Sequence, residues 1–145
     1  MKLTRKDLPR LNREQRDQVS YQFDQMQHED HNVDFQITPF GDVLNNFSIY
    51  KGVWNPTITS ARYHASYLFY NNSRLYEGKR VLDMGTGTGV LGIVTALRGA
   101  KKVTLSDVSS YAVENAKQNV DKYFLNKKVN VVEGDLFEKV RGKYD

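Results

Sequence analysis

The sequence has no cysteine, three prolines and no apolar run longer than a few residues. The lack of cysteine excludes disulfides, thiolate nucleophiles and thiolate metal sites. A membrane-spanning helix needs about 20 consecutive apolar residues, and no apolar signal core follows Met1–Arg5, so the sequence predicts no transmembrane or secretory segment. We therefore expect a cytoplasmic protein.

Histidine is also scarce, and its three positions are His28, His31 and His64. None of them has a His-x-x-x-His or similar ligand spacing on a predicted helix, so the sequence predicts no metal site. What is present is the composition of a globular domain, with 39% hydrophobic and 26% charged residues. A chain of 145 residues fits one domain with a buried core.

Positive charge is concentrated at the N-terminus of a chain whose formal net charge is +4. The first sixteen positions contain Lys2, Arg5, Lys6, Arg10, Arg13 and Arg16. Such a cluster steers a polyanion such as RNA by releasing counterions, or it is the solvated face of a helix. Both interpretations stay open, and the solvated face is the more ordinary one.

Residues 1–78 are expected to form a helical and hairpin extension that packs over a ligand site in the rest of the chain. A helix is predicted over residues 13–28, because Asn12 and Gln15 have the spacing of a capping box. Alternating apolar residues over 33–50, interrupted by a Pro-Phe-Gly-Asp turn, predict a β-hairpin.

A further helix, capped by Thr57 or Thr59, is predicted to end near Tyr70. Residues 79–145 then alternate between strand and helix, which predicts an α/β fold with a Rossmann-like parallel sheet and right-handed crossovers. The predicted strands cover 80–84, 102–106 and 128–133, and the predicted helices cover 90–98 and 109–125.

A glycine-rich turn follows the first of these strands. Asp83 lies near the end of the strand, and Gly85, Thr86, Gly87 and Gly89 belong to the turn. Glycine permits positive φ and leaves room for a ligand against the backbone, at the carboxyl ends of the parallel strands. The buried carboxylate needs a donor or a cation, such as the ammonium of a methionine moiety. The ordinary alternative is a tight turn with a capping aspartate.

The next two strands also end in acidic residues. Asp107 is placed to accept both hydroxyls of a ribose, or to cap the helix that follows it. Asp135 is placed to accept a hydrogen bond from an exocyclic amino group, with Val108 and Leu136 on the two sides of an adenine ring. The alternative for Asp135 is an ordinary turn aspartate.

A different class of protein shares part of this pattern. Gly87, Gly89 and Gly92 satisfy the G-x-G-x-x-G fingerprint of dinucleotide-binding proteins, with Asp107 as the ribose acid. In that class the first glycine follows the strand directly, whereas here Asp83 and the residues after it intervene, and a carboxylate repels a pyrophosphate. An NAD-dependent oxidoreductase is therefore the weaker alternative.

Together these residues resemble the class I S-adenosylmethionine-dependent methyltransferases, over roughly residues 79–145. The resemblance implies an incomplete seven-stranded methyltransferase fold, with three complete strands and the start of a fourth at Tyr144. It also implies S-adenosyl-L-methionine as the cofactor, with the methionine end held by the turn, the ribose by Asp107 and the adenine by Asp135. The implied cofactor-binding residues are Asp83, Gly85, Thr86, Gly87, Gly89, Asp107, Val108, Asp135 and Leu136.

The turn sequence Asp-Met-Gly-Thr-Gly-Thr-Gly-Val-Leu-Gly, with Glu114-Asn115-Ala116-Lys117-Gln118-Asn119 after the second strand, is similar to the branch that methylates nitrogens. Members of that branch include methyltransferases of ribosomal RNA guanines and of release-factor glutamines. In that branch an Asn-Pro-Pro-aromatic motif follows strand four, beyond Asp145, so the resemblance names no catalytic residue here. Asn55-Pro56 precedes a predicted helix and is no substitute. It helps Trp54, Thr57 and Thr59 to close over the cofactor, or this segment only packs against the rest of the chain, which is the more ordinary interpretation.

The expected function is methyl transfer to a nitrogen of RNA or protein, with RNA slightly favoured by the basic N-terminus. The alternatives are an NAD-dependent oxidoreductase and a non-catalytic domain that keeps the methyltransferase fold for binding. Three strands out of seven imply a fragment, a truncated product or part of a longer protein, with an apolar sheet edge left uncovered. The acceptor and the oligomeric state stay open.

Overall fold

The fold consists of an N-terminal helix and hairpin joined to a parallel sheet with its helices. The computed structural model describes residues 12–27, 29–58, 60–70 and 75–145. The α-helices are α1 (Arg13–Gln25), α2 (Ala61–Tyr70), α3 (Val90–Leu97) and α4 (Ser110–Lys122), and a 3-10 helix covers Pro56–Ile58. The strands are β1 (His31–Gln36), β2 (Val43–Ile49), β3 (Arg80–Met84), β4 (Lys102–Asp107) and β5 (Val129–Glu133).

The two sheets have the predicted pairing. Strands β1 and β2 form an antiparallel hairpin, and β3, β4 and β5 form a parallel sheet in that order. Because the three strands run in the same direction, their carboxyl ends lie side by side at one edge of the sheet. The predicted α/β class with a parallel sheet is confirmed.

One apolar core connects the hairpin to the parallel sheet. Phe35 and Phe47 face each other across the hairpin with ring centroids 5.9 Å apart, and Phe47 also stacks on Tyr123 after α4, at 6.3 Å. Ile93 of α3 and Leu105 of β4 are completely buried in the same cluster. Burial of this kind is the main favourable term in folding, so the extension and the sheet share their stabilisation.

Most predicted boundaries agree with the structure, and the capping box is present. The backbone N–H of Asn12 donates to Oε1 of Gln15 at 3.0 Å, and the N–H of Gln15 donates to Oδ1 of Asn12 at 2.9 Å. The predicted end of α1 at residue 28 was too late, because the helix ends at Gln25. His28 itself lies outside the described residues. None of the described helices is long and apolar enough to cross a membrane.

Two other boundaries were wrong for local reasons. Thr57 does not cap α2: it lies in the 3-10 helix, and its N–H and hydroxyl both donate to Oδ1 of Asn55, at 2.9 and 2.7 Å. Thr59, the other predicted cap, lies outside the described residues. Helix α4 ends at Lys122 instead of residue 125, because Phe124 has φ +56° and the N–H of Leu125 donates to the carbonyl of Val120 at 3.0 Å. This is a Schellman-type end without its usual glycine, so the sequence carried no signal for it.

Candidate cofactor site

The turn after β3 has the backbone that its glycines predicted. Gly85, Gly87 and Gly89 have φ values of 73°, 55° and 84°, a region that residues with a side chain rarely adopt. The N–H groups of Gly85 and Thr86 donate to the carbonyl of Ser106 at the end of β4, at 2.8 and 3.1 Å. The first residues of the turn after β3 are therefore hydrogen-bonded to the neighbouring strand β4.

Asp83 lies beneath this turn and finds its donors within the protein. Its Oδ2 accepts from the hydroxyl of Thr86 at 2.7 Å and from the backbone N–H of Gly92 at 3.0 Å. Burial raises the pKa of the Asp83 carboxyl above its ordinary value, although both hydrogen bonds oppose the shift. The carboxylate thus joins the turn to the first part of α3.

Gly92 allows α3 to approach the sheet closely. A Cβ at this position would lie 2.0 Å from Cδ2 of Leu105 and 3.2 Å from Cγ1 of Val103. The third glycine of the dinucleotide-like pattern is thus explained by helix-on-strand packing, without any ligand.

Asp107 organises the end of β4. Its Oδ2 accepts from the N–H of Gly87 at 2.9 Å, and its Oδ1 accepts from the N–H of Ser109 at 3.0 Å. The predicted alternative that Asp107 caps α4 was wrong, because the cap is Ser109, whose hydroxyl accepts from the N–H of Ala112 at 3.4 Å. Asp107 instead fixes the position of the glycine turn relative to the next helix.

A cavity of about 370 Å³ opens at the carboxyl ends of the three parallel strands. Its walls include Met84, Gly85, Ser106, Asp107, Val108, Gly134, Asp135 and Leu136. Val108 is 70% exposed and Leu136 is 62% exposed, so both side chains offer apolar surface at this cavity. Leu136 also has φ +45°, and strain of this kind is concentrated at ligand sites.

The structure does not bring all the predicted site residues into this one cavity. Gly85, Asp107, Val108, Asp135 and Leu136 line it. Asp83 lines a second cavity of about 390 Å³, on the side of β3 where Leu91, Gly92, Tyr144 and Asp145 lie. Neither cavity is lined by Thr86, Gly87 or Gly89, which belong to the turn itself. The predicted direct contact of Asp83 with a methionine ammonium stays a prediction, whereas the residues predicted to hold the adenosine line one cavity together.

Part of the extension lies close to the glycine turn. A Cβ on Gly87 would lie 4.0 Å from Cγ1 of Val53, a side chain that is only 2% exposed. The sequence predicted a cover made of Trp54, Thr57 and Thr59 instead. Trp54 is 37% exposed, and Thr57 forms its hydrogen bonds with Asn55. Val53 is therefore a residue of this segment that the structure places beside the turn, while Thr59 lies outside the described residues.

Asn115 and Asn119 of α4 belong to the pattern that carries the family resemblance, but sequence reasoning assigned them no role. Asn115 and Asn119 are completely buried, and both bond to the backbone of β2 at Ser48. A signal was available, because two amides spaced four residues apart stand on the apolar face of a helix, and buried amides require partners. Their partner strand is about 70 positions away in the sequence, so no local pattern identifies it.

Comparison with known proteins places these features in a family. The profile of the methyltransferase small domain matches residues 63–145. The chain is 48% identical over 69 residues to a ribosomal protein L11 methyltransferase of Exiguobacterium sp., a match that covers 48% of this chain and 22% of that protein. It is 41% identical over 80 residues to a putative protein N5-glutamine methyltransferase of Methanocaldococcus jannaschii, a match that covers 55% of this chain and 40% of that protein.

A solved structure shows the same relation. The PRMT1 enzyme-prozyme complex of Trypanosoma brucei, solved with AdoHcy, aligns with a TM-score of 0.50 and 30% identity, covering 55% of this chain and 25% of that chain. The chain spans less than half the length of the curated relatives described above. These matches favour the methyltransferase interpretation over the NAD-dependent oxidoreductase, and they confirm the predicted Rossmann-like fold. The chain belongs to the methyltransferase small domain family, as its resemblance to the class I S-adenosylmethionine-dependent methyltransferases predicted.

Proposed function

We propose that this domain binds S-adenosylmethionine and belongs to an enzyme that methylates a nitrogen atom. The observation that carries the proposal is the cavity at the carboxyl ends of β3, β4 and β5, where Asp107, Val108, Asp135 and Leu136 meet. Ligands of open α/β sheets bind in this crevice. The relatives named above are methyltransferases, and AdoHcy is present in the trypanosome structure.

The side chains of the cavity suit an adenosine. Each oxygen of a carboxylate accepts more than one hydrogen bond, so Asp107 retains lone pairs for two ribose hydroxyls while it holds Gly87 and Ser109. Val108 and Leu136 offer apolar surface to the faces of a purine. Asp135 supplies an acceptor for an exocyclic amine.

The residues of this chain act by positioning. When bound, the cofactor supplies a methyl group on a positively charged sulfonium, which is already an electrophile. The glycine turn and Asp107 would fix the orientation of the bound molecule, and fixed orientation accounts for much of the rate of such transfers. Asp83 supports the turn from below through Thr86. We assign no catalytic residue among the described residues.

We propose a protein nitrogen as the acceptor. The two curated relatives described above are named for a ribosomal protein and for protein glutamine. The slight preference for RNA came from the basic N-terminus, most of which lies outside the described residues, and those names give it no support. Acceptors of this kind imply a reaction in the cytoplasm. We further propose that residues 1–78 cover the cofactor site, supported by the position of Val53 beside Gly87.

Calorimetric titration of the full chain with S-adenosylhomocysteine and, separately, with NAD tests the cofactor. Saturable binding of S-adenosylhomocysteine alone is expected. Binding of NAD alone would show an oxidoreductase, and binding of neither would favour a domain that keeps the fold without the cofactor. Transfer of a labelled methyl group to ribosomal proteins, compared with ribosomal RNA under the same conditions, tests the acceptor.

A further inference from the structure

Asn119 connects the hairpin to the glycine turn. Its Nδ2 donates to the carbonyl of Ser48 at 2.9 Å and to the carbonyl of Thr88 at 3.0 Å, and its Oδ1 accepts from the N–H of Ser48 at 2.8 Å. Thr88 lies between Gly87 and Gly89 and is only 2% exposed. One buried amide therefore satisfies backbone groups of a strand in the extension and of the turn at the cofactor site.

Asn115, one helical turn earlier, makes a matched set of contacts with the hairpin. Its Nδ2 donates to the carbonyl of Ser48 and its Oδ1 accepts from the N–H of Tyr50, both at 2.9 Å. Both asparagines are completely buried and both hold β2. They differ in the additional hydrogen bond from Asn119 to Thr88.

We propose that Asn119 is a positioning residue that couples the hairpin extension to the cofactor-binding turn. The turn contains three residues at positive φ, and glycines impose little restraint on their own backbone. Besides the bonds to Ser106, Asp83 and Asp107, a buried donor aimed at the carbonyl of Thr88 adds a restraint from the side of the hairpin, because an unpaired buried carbonyl is costly. Val53, which follows β2, also lies close to the same turn, 4.0 Å from the position of a Cβ on Gly87. A displacement of the hairpin would thus disturb the turn at two points. This inference rests on the proposed cofactor site.

The test compares Asn119→Asp with Asn115→Asp. Aspartate has the same shape and keeps the oxygen that accepts from Ser48 or Tyr50, but when ionised it loses the donor. Both variants then lose donation to Ser48 and gain a buried carboxylate, and only Asn119→Asp loses donation to Thr88. We expect the Kd of S-adenosylhomocysteine to rise about tenfold more in Asn119→Asp than in Asn115→Asp, as loss of a buried hydrogen bond implies. Equal affinities in the two variants would overturn the proposal.

A second readout needs no cofactor. The N–H of Gly89 donates to the carbonyl of Thr86 at 2.9 Å within the turn, so its hydrogen exchange reports on the turn's conformation. We expect faster exchange of this amide in Asn119→Asp than in Asn115→Asp, after correction for any difference in global stability. If the unaltered chain does not bind S-adenosylhomocysteine, the proposed function fails, and this exchange still decides the coupling: equal rates would overturn it.

The neutral pair Asn119→Ala and Asn115→Ala replaces the aspartate pair if either aspartate variant fails to fold. Both alanine variants lose the amide and create a similar cavity, and the same difference between them is expected in affinity and in exchange. A loss confined to thermal stability, equal in both, would show that Asn119 serves only to hold the hairpin.

Discussion

The carboxylate of Asp107 accepts a hydrogen bond from the backbone N–H of Gly87 at 2.9 Å. The carbonyl of the same residue accepts from the N–H of Gly134 at 3.0 Å. One residue at the end of β4 therefore holds the turn after β3 and the loop after β5. The cavity walls depend on this arrangement, because Gly134 and Asp107 both line the space proposed for the adenosine.

Replacement of Asp107 by alanine is expected to weaken binding of S-adenosylhomocysteine by about ten- to a hundredfold. The change removes the carboxylate proposed to bind the ribose and releases Gly87, and about 1.5–3 kcal/mol, the contribution of one hydrogen bond to a charged group, corresponds to that loss. Calorimetric titration measures the Kd. The control is Asp121→Ala, which removes an exposed carboxylate of α4 that does not line the cavity. Similar affinities in the two variants would contradict the ribose assignment.

Replacement of Val108 by serine or Leu136 by asparagine is expected to weaken the same binding about tenfold without a measurable loss of stability. Burial of an aliphatic side chain against a ligand contributes roughly 1.5–3 kcal/mol, while both side chains are mostly exposed before binding. Asparagine tolerates the positive φ at position 136. The matched control is Leu97→Ser at the C-terminal end of α3, which removes an exposed apolar side chain that does not line the cavity. The adenine assignment is wrong if neither cavity variant differs from that control.

Replacement of Gly92 by alanine is expected to destabilise the fold by about 1–3 kcal/mol, the usual cost of overpacking. The new Cβ would lie 2.0 Å from Cδ2 of Leu105, a completely buried side chain. Urea denaturation measures the free energy of unfolding. In a double-mutant cycle with Leu105→Val, the clash predicts that the two changes together cost less than the sum of the single changes. If the two changes in the free energy of unfolding are strictly additive, the clash with Leu105 is not the cause of the destabilisation.

Replacement of Asp83 by asparagine is expected to change how stability depends on pH. Burial raises the pKa of the Asp83 carboxyl in the folded state above its value in the unfolded state. The contribution of Asp83 to the free energy of unfolding is therefore fully present below the unfolded-state pKa, and it is lost as the pH rises through the folded-state pKa. The free energy of unfolding of the unaltered chain should therefore fall over that range relative to that of the Asp83→Asn variant. Denaturation curves at a series of acidic and neutral pH values give the difference. Parallel pH profiles would show that Asp83 keeps an ordinary pKa.

Local patterns predicted the elements of this fold closely. Alternation and helical spacing identified the strands β3, β4 and β5 and the helices between them, and the capping box located the start of α1. One failure occurred where a boundary lacks its usual residue, at Phe124, which ends α4 in a conformation typical of glycine, and another occurred at Thr57, which bonds to Asn55 instead of capping α2. Periodicity reports which residues belong to an element better than it reports where the element ends.

The sequence by itself determined the family, the glycine turn and the acids at the strand ends, because these features depend on residues that are neighbours along the chain. Only the tertiary structure decided which of them share a space. It placed Asp107, Asp135 and Leu136 around one cavity and Asp83 beside another. It also paired Asn119 with Ser48 and Thr88, across distances in sequence that no local pattern spans. The reason is physical: a buried polar group must find a partner, and the partner is set by how the elements pack.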